Sequence, residues 1–236
     1  MANGRKRLDS YLSQALGLKR KSIRPLLACK AVLVDGQPAR GVDQLVDDFS
    51  IVSVGDRTLP YHLPQYWMLH KPVGVVSATR DEQHPTVISL MPAEADPELH
   101  IAGRLDLNSS GLLLLTNDSR WSSRLSDPLH EVPKIYHVTV AKPLHEAYIA
   151  AFAEGFYFGY EDIHTRPASL SILSEYEAEI TLTEGRYHQI KRMLGRFRNP
   201  VLALKRIQIG RIALDSELAP GQARPLTEEE VNSIGR

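Results

Sequence analysis

The chain has 236 residues, 43% of them hydrophobic, with 28 Lys and Arg against 28 Asp and Glu, so it can bury a sizeable core and carries no formal net charge. Cys29 is the only cysteine, and no His-Glu-x-x-His, phosphate-binding glycine loop or dinucleotide fingerprint occurs; this excludes an intrachain disulfide, leaves no support for a metal site or a bound cofactor, and points to a reducing compartment. No apolar stretch approaches a membrane span, and the basic start runs into Asp9, Ser10 and Gln14 instead of an apolar signal region, so a cytoplasmic protein without a membrane partner is expected.

The charge is unevenly spread. Residues 1–30 hold Arg5, Lys6, Arg7, Lys19, Arg20, Lys21, Arg24 and Lys30 against the single acid Asp9, and a second basic run extends from Arg186 to Arg211 with no acid inside it. Two basic surfaces on a neutral chain suggest a polyanion held at chosen places. In chain order, Leu8, Tyr11, Leu12, Ala15 and Leu16 recur at helical spacing and stop at Gly17, which predicts a helix over 8–16. A second helix uses Ile23, Leu26 and Leu27 as its apolar face and leaves Arg20, Lys21 and Arg24 outside. Pro25 inside it would remove a backbone donor and bend it, so its start is expected later than the pattern suggests. Cys29 reads as a small core residue. Ala31 to Val34 then alternates into Asp35-Gly36, a two-residue hairpin signal, and Ser50 to Val54 reads as a returning strand.

This order, with Arg7-Leu8-Asp9 at the first helix and Val32-Leu-Val-Asp-Gly36 at the hairpin, resembles an S4 RNA-binding domain over Arg7 to Val54. The resemblance implies a small α/β domain spanning residues 1–58, in which Arg20, Arg24 and nearby lysines grip RNA phosphates. Lys19 stands where such domains commonly have a helix-starting Ser, and Lys30 where they often have Gly.

Pro60, His62 and Pro64 interrupt the pattern and predict a stiff linker over 59–65. A second domain, 66–236, opens with the strand Tyr66 to Leu69 and the segment His70-Lys-Pro-Val-Gly74. Asp106 stands on a turn beside Arg104, just before the apolar run Leu112 to Leu115, so a rigid strand presents one carboxylate at a sheet end. Further strands are expected at 136–140, 168–173, 178–182, 201–204 and 211–214, and helices at 120–126, 145–154 and 187–196. Strands outnumber helices without regular alternation, which predicts an α+β fold with a mixed, mainly antiparallel sheet.

Gly103-Arg-Leu-Asp106, followed by Ser109-Ser-Gly-Leu-Leu-Leu-Leu-Thr-Asn-Asp118, resembles the active-site segment of the RsuA family of pseudouridine synthases. Lys71-Pro72 with Gly74, His84-Pro-Thr-Val87, Lys134-Ile-Tyr136, Glu184-Gly-Arg-Tyr-His-Gln-Ile-Lys-Arg-Met193 and Pro225-Leu-Thr-Glu-Glu-Glu230 extend the resemblance across the domain. It implies Asp106 as nucleophile, Lys191 as its basic partner, Tyr136 and Ile190 around an extruded uracil, and Arg104 on the vacated RNA backbone. Gln189, Arg186 and Lys71 are expected among the residues that bind base and RNA. Ser109 and Ser110 replace a frequent Thr, Ser119 replaces a Gly, and Lys191 stands where many relatives carry Arg, which keeps the cation and loses the planar fork.

The Gly185-Arg-Tyr-His-Gln-Ile-Lys-Arg-Met193 form and an end at Arg236 without a basic tail resemble the small-subunit branch, which implies a 16S ribosomal RNA uridine of the 516 type, met on free RNA or an assembly intermediate by a monomer. A 23S site is the alternative within the family. Outside it stand a non-catalytic assembly factor and a hydrolase, and the hydrolase lacks the second carboxylate that glycoside cleavage needs.

Overall fold

The structure, a computed structural model, describes residues 6–47, 49–59 and 63–234. The chain divides into two compact units, Met1–Pro64 and Gln65–Arg236. Pro60 and His62 of the expected linker lie outside the described residues.

In the first unit, β1 (Lys6–Arg7) leads into α1 (Leu8–Leu16), which ends at Gly17 in the left-handed region. A 3-10 turn over Arg20–Ser22 feeds α2 (Ile23–Ala28). Pro25 falls in the first turn of α2, where a backbone N–H has no intrahelical acceptor anyway, so the helix is not delayed by it. Four strands follow: β2 (Val32–Val34), β3 (Gln37–Pro38), β4 (Leu45–Val46) and β5 (Val52–Val54), with β6 (Arg57–Thr58) after them. Asp35 and Gly36, both at positive φ, close the β2–β3 hairpin, while β5 pairs with the other edge of β2, giving the order β3-β2-β5-β6. The strand over 52–54 is thus a sheet neighbour of β2, and β3 is the return of the hairpin. Leu8, Leu12, Ile23, Val32, Val46 and Val52 fill the core. Cys29 is exposed, contrary to its expected place in that core, because it caps the exposed end of α2. Lys30 takes φ 54°, the left-handed turn for which glycine is the usual solution.

The second unit is built on a nine-stranded sheet among the described residues. Its elements are β7 (Tyr66–Lys71), β8 (His100–Ala102), β9 (Ser110–Thr116), α3 (Ser119–Ser126), β10 (Lys134–Val140) and α4 (Glu146–Glu154), then the small hairpin β11 (Tyr157–Phe158) and β12 (Ile163–His164). β13 (Ser169–Ser174), β14 (Glu177–Leu182), α5 (Gln189–Gly195), β15 (Val201–Ile209), β16 (Ile212–Ala213), β17 (Ala223–Pro225) and α6 (Glu228–Ser233) complete it. The order is β13-β14-β10-β15-β9-β7-β17, with β16 on β15 and β8 on β9. Only the β15–β9 pairing is parallel. The expected mixed, mainly antiparallel α+β sheet is therefore present.

Side chains alternate across a strand, so the run Leu112 to Leu115 has to be covered on both faces. It is: Leu113 and Leu115 join the core beneath α4 and α5 with Tyr148, Phe152, Met193 and Leu194, whereas Leu112 and Leu114 pack with Trp121, Leu125 and Val231 of α3 and α6. β9 is an interior strand of the sheet, paired on both sides, and the turn before it inherits that rigidity. No helix among the described residues is long and apolar enough to cross a membrane.

Candidate active site

Asp106 sits on the turn between β8 and β9, and buried polar side chains fix that turn from three directions. Ser77 Oγ donates to the Leu105 carbonyl at 2.7 Å and accepts from Leu105 N–H at 3.1 Å. Arg206, 3% exposed on β15, donates through its guanidinium to the carbonyls of Gly103, Arg104 and Leu112. Lys71, at the end of β7 and fully buried, donates to the carbonyls of Pro72, Leu107 and Ser109. Burial pushes its ammonium down to about 8, against the attraction of Asp106. The sequence suggested Lys71 as an RNA-binding cation; instead, at 0% exposure it cannot reach a phosphate, and its three carbonyl acceptors make it a clamp.

The partners of Asp106 come from α5 and the residue before it. Lys191 Nζ lies 3.6 Å from Asp106 Oδ2, and His188 Nε2 lies 3.3 Å from the same oxygen. Burial of Ile190, Met193 and Leu194 against the sheet turns this face of α5 toward the carboxylate. The loop ahead of α5 is held by Glu184, 7% exposed, whose carboxylate accepts from Gln189 Nε2, Arg186 Nε and the Arg166 N–H. Gln189 also accepts from the Arg186 N–H at 3.0 Å. The side-chain amide of Gln189 thus ties the loop to Glu184 while lining the cavity. Arg192 pairs with Glu161 at 2.7 Å and lies over the Phe158 ring, away from Asp106.

Around Asp106 opens a cavity of about 710 Å³, within the size range of ligand pockets. Tyr136 from β10 and Ile190 from α5, both buried, line it together with Lys134. Burial, with Arg206 nearby, holds the Lys134 ammonium below its ordinary value. Arg104 and Arg186 line it as exposed residues. Asp106, Lys191, Tyr136, Ile190, Arg104, Arg186 and Gln189 are therefore brought together; Arg20 and Arg24 belong to the other unit, where both are exposed. Sequence reasoning missed His188, Ser77 and Arg206. His188 lay inside the quoted Gly-Arg-Tyr-His run and Arg206 inside the second basic run, but nothing in their spacing told a site residue from a solvated one. Among the described residues, no group of three or more His, Cys, Asp or Glu could hold a metal ion.

Comparison with known proteins places the chain in a family. Residues 65–195 match the family described as RNA pseudouridylate synthase. The chain is 47% identical over 229 residues to the ribosomal small subunit pseudouridine synthase A of Pseudomonas aeruginosa, covering 97% of this chain and 100% of that one. It is 39% identical over 229 residues to the protein of that name from Escherichia coli K12, covering 97% and 99%. A solved structure titled as the crystal structure of a pseudouridylate synthase superposes with a TM-score of 0.71 at 37% identity, covering 97% of this chain and 99% of that chain. A matched catalytic-domain family and relatives similar over their whole length lead to one conclusion: this chain belongs to the RNA pseudouridylate synthases, the isomerases that the residues around Asp106 resembled.

Proposed function

We propose that this protein converts one uridine of small-subunit (16S) ribosomal RNA, of the uridine-516 type, to pseudouridine, with Asp106 as the nucleophile. The observation that carries the chemistry is a carboxylate in a cavity whose Oδ2 faces both Lys191 and His188. The carboxylate lines the cavity, where it can meet C1′ of the ribose. The reaction breaks the N1–C1′ bond, turns the uracil and rejoins it through C5, so substrate and product have the same composition and no external cofactor is required. The uridine has to leave its stack to reach Asp106. Tyr136 and Ile190 are suited to hold the extruded ring, Arg104 and Arg186 to hold the RNA backbone at the rim, and Lys191 to keep a cation beside the carboxylate while charge develops on the sugar.

The residues 1–58 are read as an S4-like module whose exposed Arg20 and Arg24 grip phosphates, adding affinity without sequence reading. The small-subunit names of the relatives support the choice of RNA. A hydrolase is disfavoured, because the other carboxylate lining the cavity, Glu184, is buried and engaged by three donors, so it is not free to protonate a leaving group. The test is incubation of the protein with unmodified 16S and 23S RNA, separately, followed by mapping of new pseudouridines. One new site in 16S RNA, lost in Asp106→Asn while RNA affinity stays within a few-fold, is the expected result. Product confined to 23S RNA would move the substrate assignment, and near wild-type turnover by Asp106→Asn would remove the nucleophile.

A further inference from the structure

Tyr187 is 75% exposed, although it lines the cavity that contains Asp106. One face of its ring stacks on the His188 imidazole, with centroids 3.9 Å apart and planes inclined by 19°. The same imidazole meets Asp106 at its edge, Nε2 lying 3.3 Å from Oδ2. Its backbone is left-handed, φ 49° and ψ 32°, at the residue that opens α5, and its side chain caps no helix N–H. A non-glycine residue held in that region at the edge of a site marks a geometry that the surroundings impose. Tyr187 is therefore an oriented aromatic plate: one face is occupied, and an exposure this high leaves the other open. Arg104 lines the same cavity as an exposed residue, and Arg186, which precedes Tyr187, stays exposed while its Nε pairs with Glu184, so the cavity rim that Tyr187 shares carries guanidinium groups.

An open π face beside guanidinium groups is the chemistry that proteins use for an unstacked nucleobase. RNA that has surrendered one base to a pocket presents such a surface, since each neighbour of the extruded nucleotide loses a stacking partner. We propose that the open face of Tyr187 receives the base of a nucleotide flanking the target uridine, with His188 as the fixed support beneath it. This rests on the reading of the Asp106 cavity as the uridine site. It assigns to Tyr187 a binding role distinct from the roles of Tyr136 and Ile190, which are buried inside the cavity.

The experiment uses the full-length protein and a 16S RNA fragment centred on the proposed uridine, with 2-aminopurine replacing the flanking base on the 5′ side or, in a second RNA, on the 3′ side. Fluorescence of the bound RNA reports stacking directly, and titration gives the affinity. Wild type and Tyr187→Phe should quench one of the two probes, whereas Tyr187→Leu, which keeps apolar bulk at an exposed position but loses the π face, should abolish the quenching and weaken binding about tenfold. No quenching by wild type with either probe, or equal quenching by Tyr187→Leu, overturns the proposal. Pseudouridine formation on the unsubstituted fragment is scored separately. Tyr187-dependent quenching without product would retain the base platform and sink the uridine reading, while product with no Tyr187-dependent quenching would do the reverse.

Discussion

Asp106 has two basic neighbours on one oxygen, and they are held in different ways. Lys191 reaches Oδ2 from inside α5, a helix anchored by Ile190, Met193 and Leu194, whereas His188 reaches it from a left-handed residue whose ring stacks on Tyr187. If Lys191 serves as a cation beside developing charge, Lys191→Ala should lower kcat about a hundredfold and Lys191→Arg far less, with RNA affinity nearly unchanged in both. Equal losses in steady-state assays of the two variants would point to shape instead of charge. Lys71 gives a pH-dependent prediction. Its ammonium titrates near 8 in the folded protein and at its ordinary 10.5 when unfolded, so between those values the unfolded chain holds the extra proton and this group makes stability rise with pH. Wild type should gain stability relative to Lys71→Met from about pH 8 to about pH 10; a constant difference in urea unfolding across that range would show that Lys71 is not held as described. At this scale Asp106, Lys191, Tyr136 and Ile190 were legible because each belongs to an ordered run of motifs. Lys71 was misread because a lysine in Lys-Pro-Val-Gly gives no sign that three carbonyls await it.

At the scale of elements, the leucine run of β9 declared a strand buried on both faces, and the structure supplies the two cores that cover it. β15 was harder: the apolar pattern predicted 201–204, yet the strand continues through Lys205 and Arg206 to Ile209. Leu202 is 67% exposed while Arg206 is 3% exposed, so hydropathy pointed the wrong way on both. A buried guanidinium is tolerated there because the carbonyls of Gly103, Arg104 and Leu112 accept its protons. The parallel pairing of β15 with β9 places Arg206 opposite Gly111. Gly111 has φ 106°, and a Cβ there would lie against the Arg206 carbonyl oxygen, with the backbone nitrogen and carbonyl carbon at 2.7 and 2.9 Å. Gly111→Ala should therefore cost about 2–4 kcal/mol in urea unfolding and disturb the Asp106 turn. A loss below about 0.5 kcal/mol would mean that the two strands can part without penalty. The sequence pattern also passed over β8, β17 and α6. The acids of Glu228-Glu-Glu230 are the first turn of α6, where Thr227 and Glu230 form a capping box and Glu230 also receives Arg224.

At the scale of the whole molecule, the two units have separate cores: Leu8, Leu12 and Ile23 with their neighbours in one, and the two faces of the large sheet in the other. Removing residues 1–58 should leave the second unit folded, weaken RNA binding and make its dependence on salt shallower, because Arg20, Arg24 and the nearby lysines go with them. A truncated protein with unchanged affinity and salt slope, measured by titration at several salt concentrations, would reduce the basic N-terminus to a solvated face. The sequence by itself determined the fold class and the family, and it singled out Asp106 as the candidate carboxylate, because periodicity, turn residues and the order of motifs are local properties that survive without coordinates. Tertiary structure alone decided which basic side chains stand beside Asp106 and which hold its turn. That choice depends on burial and on the direction of backbone carbonyls: Lys71 and Arg206 point into carbonyl cages, Arg192 into Glu161, Arg186 into Glu184, while Lys191 and the His188 imidazole lie beside the carboxylate.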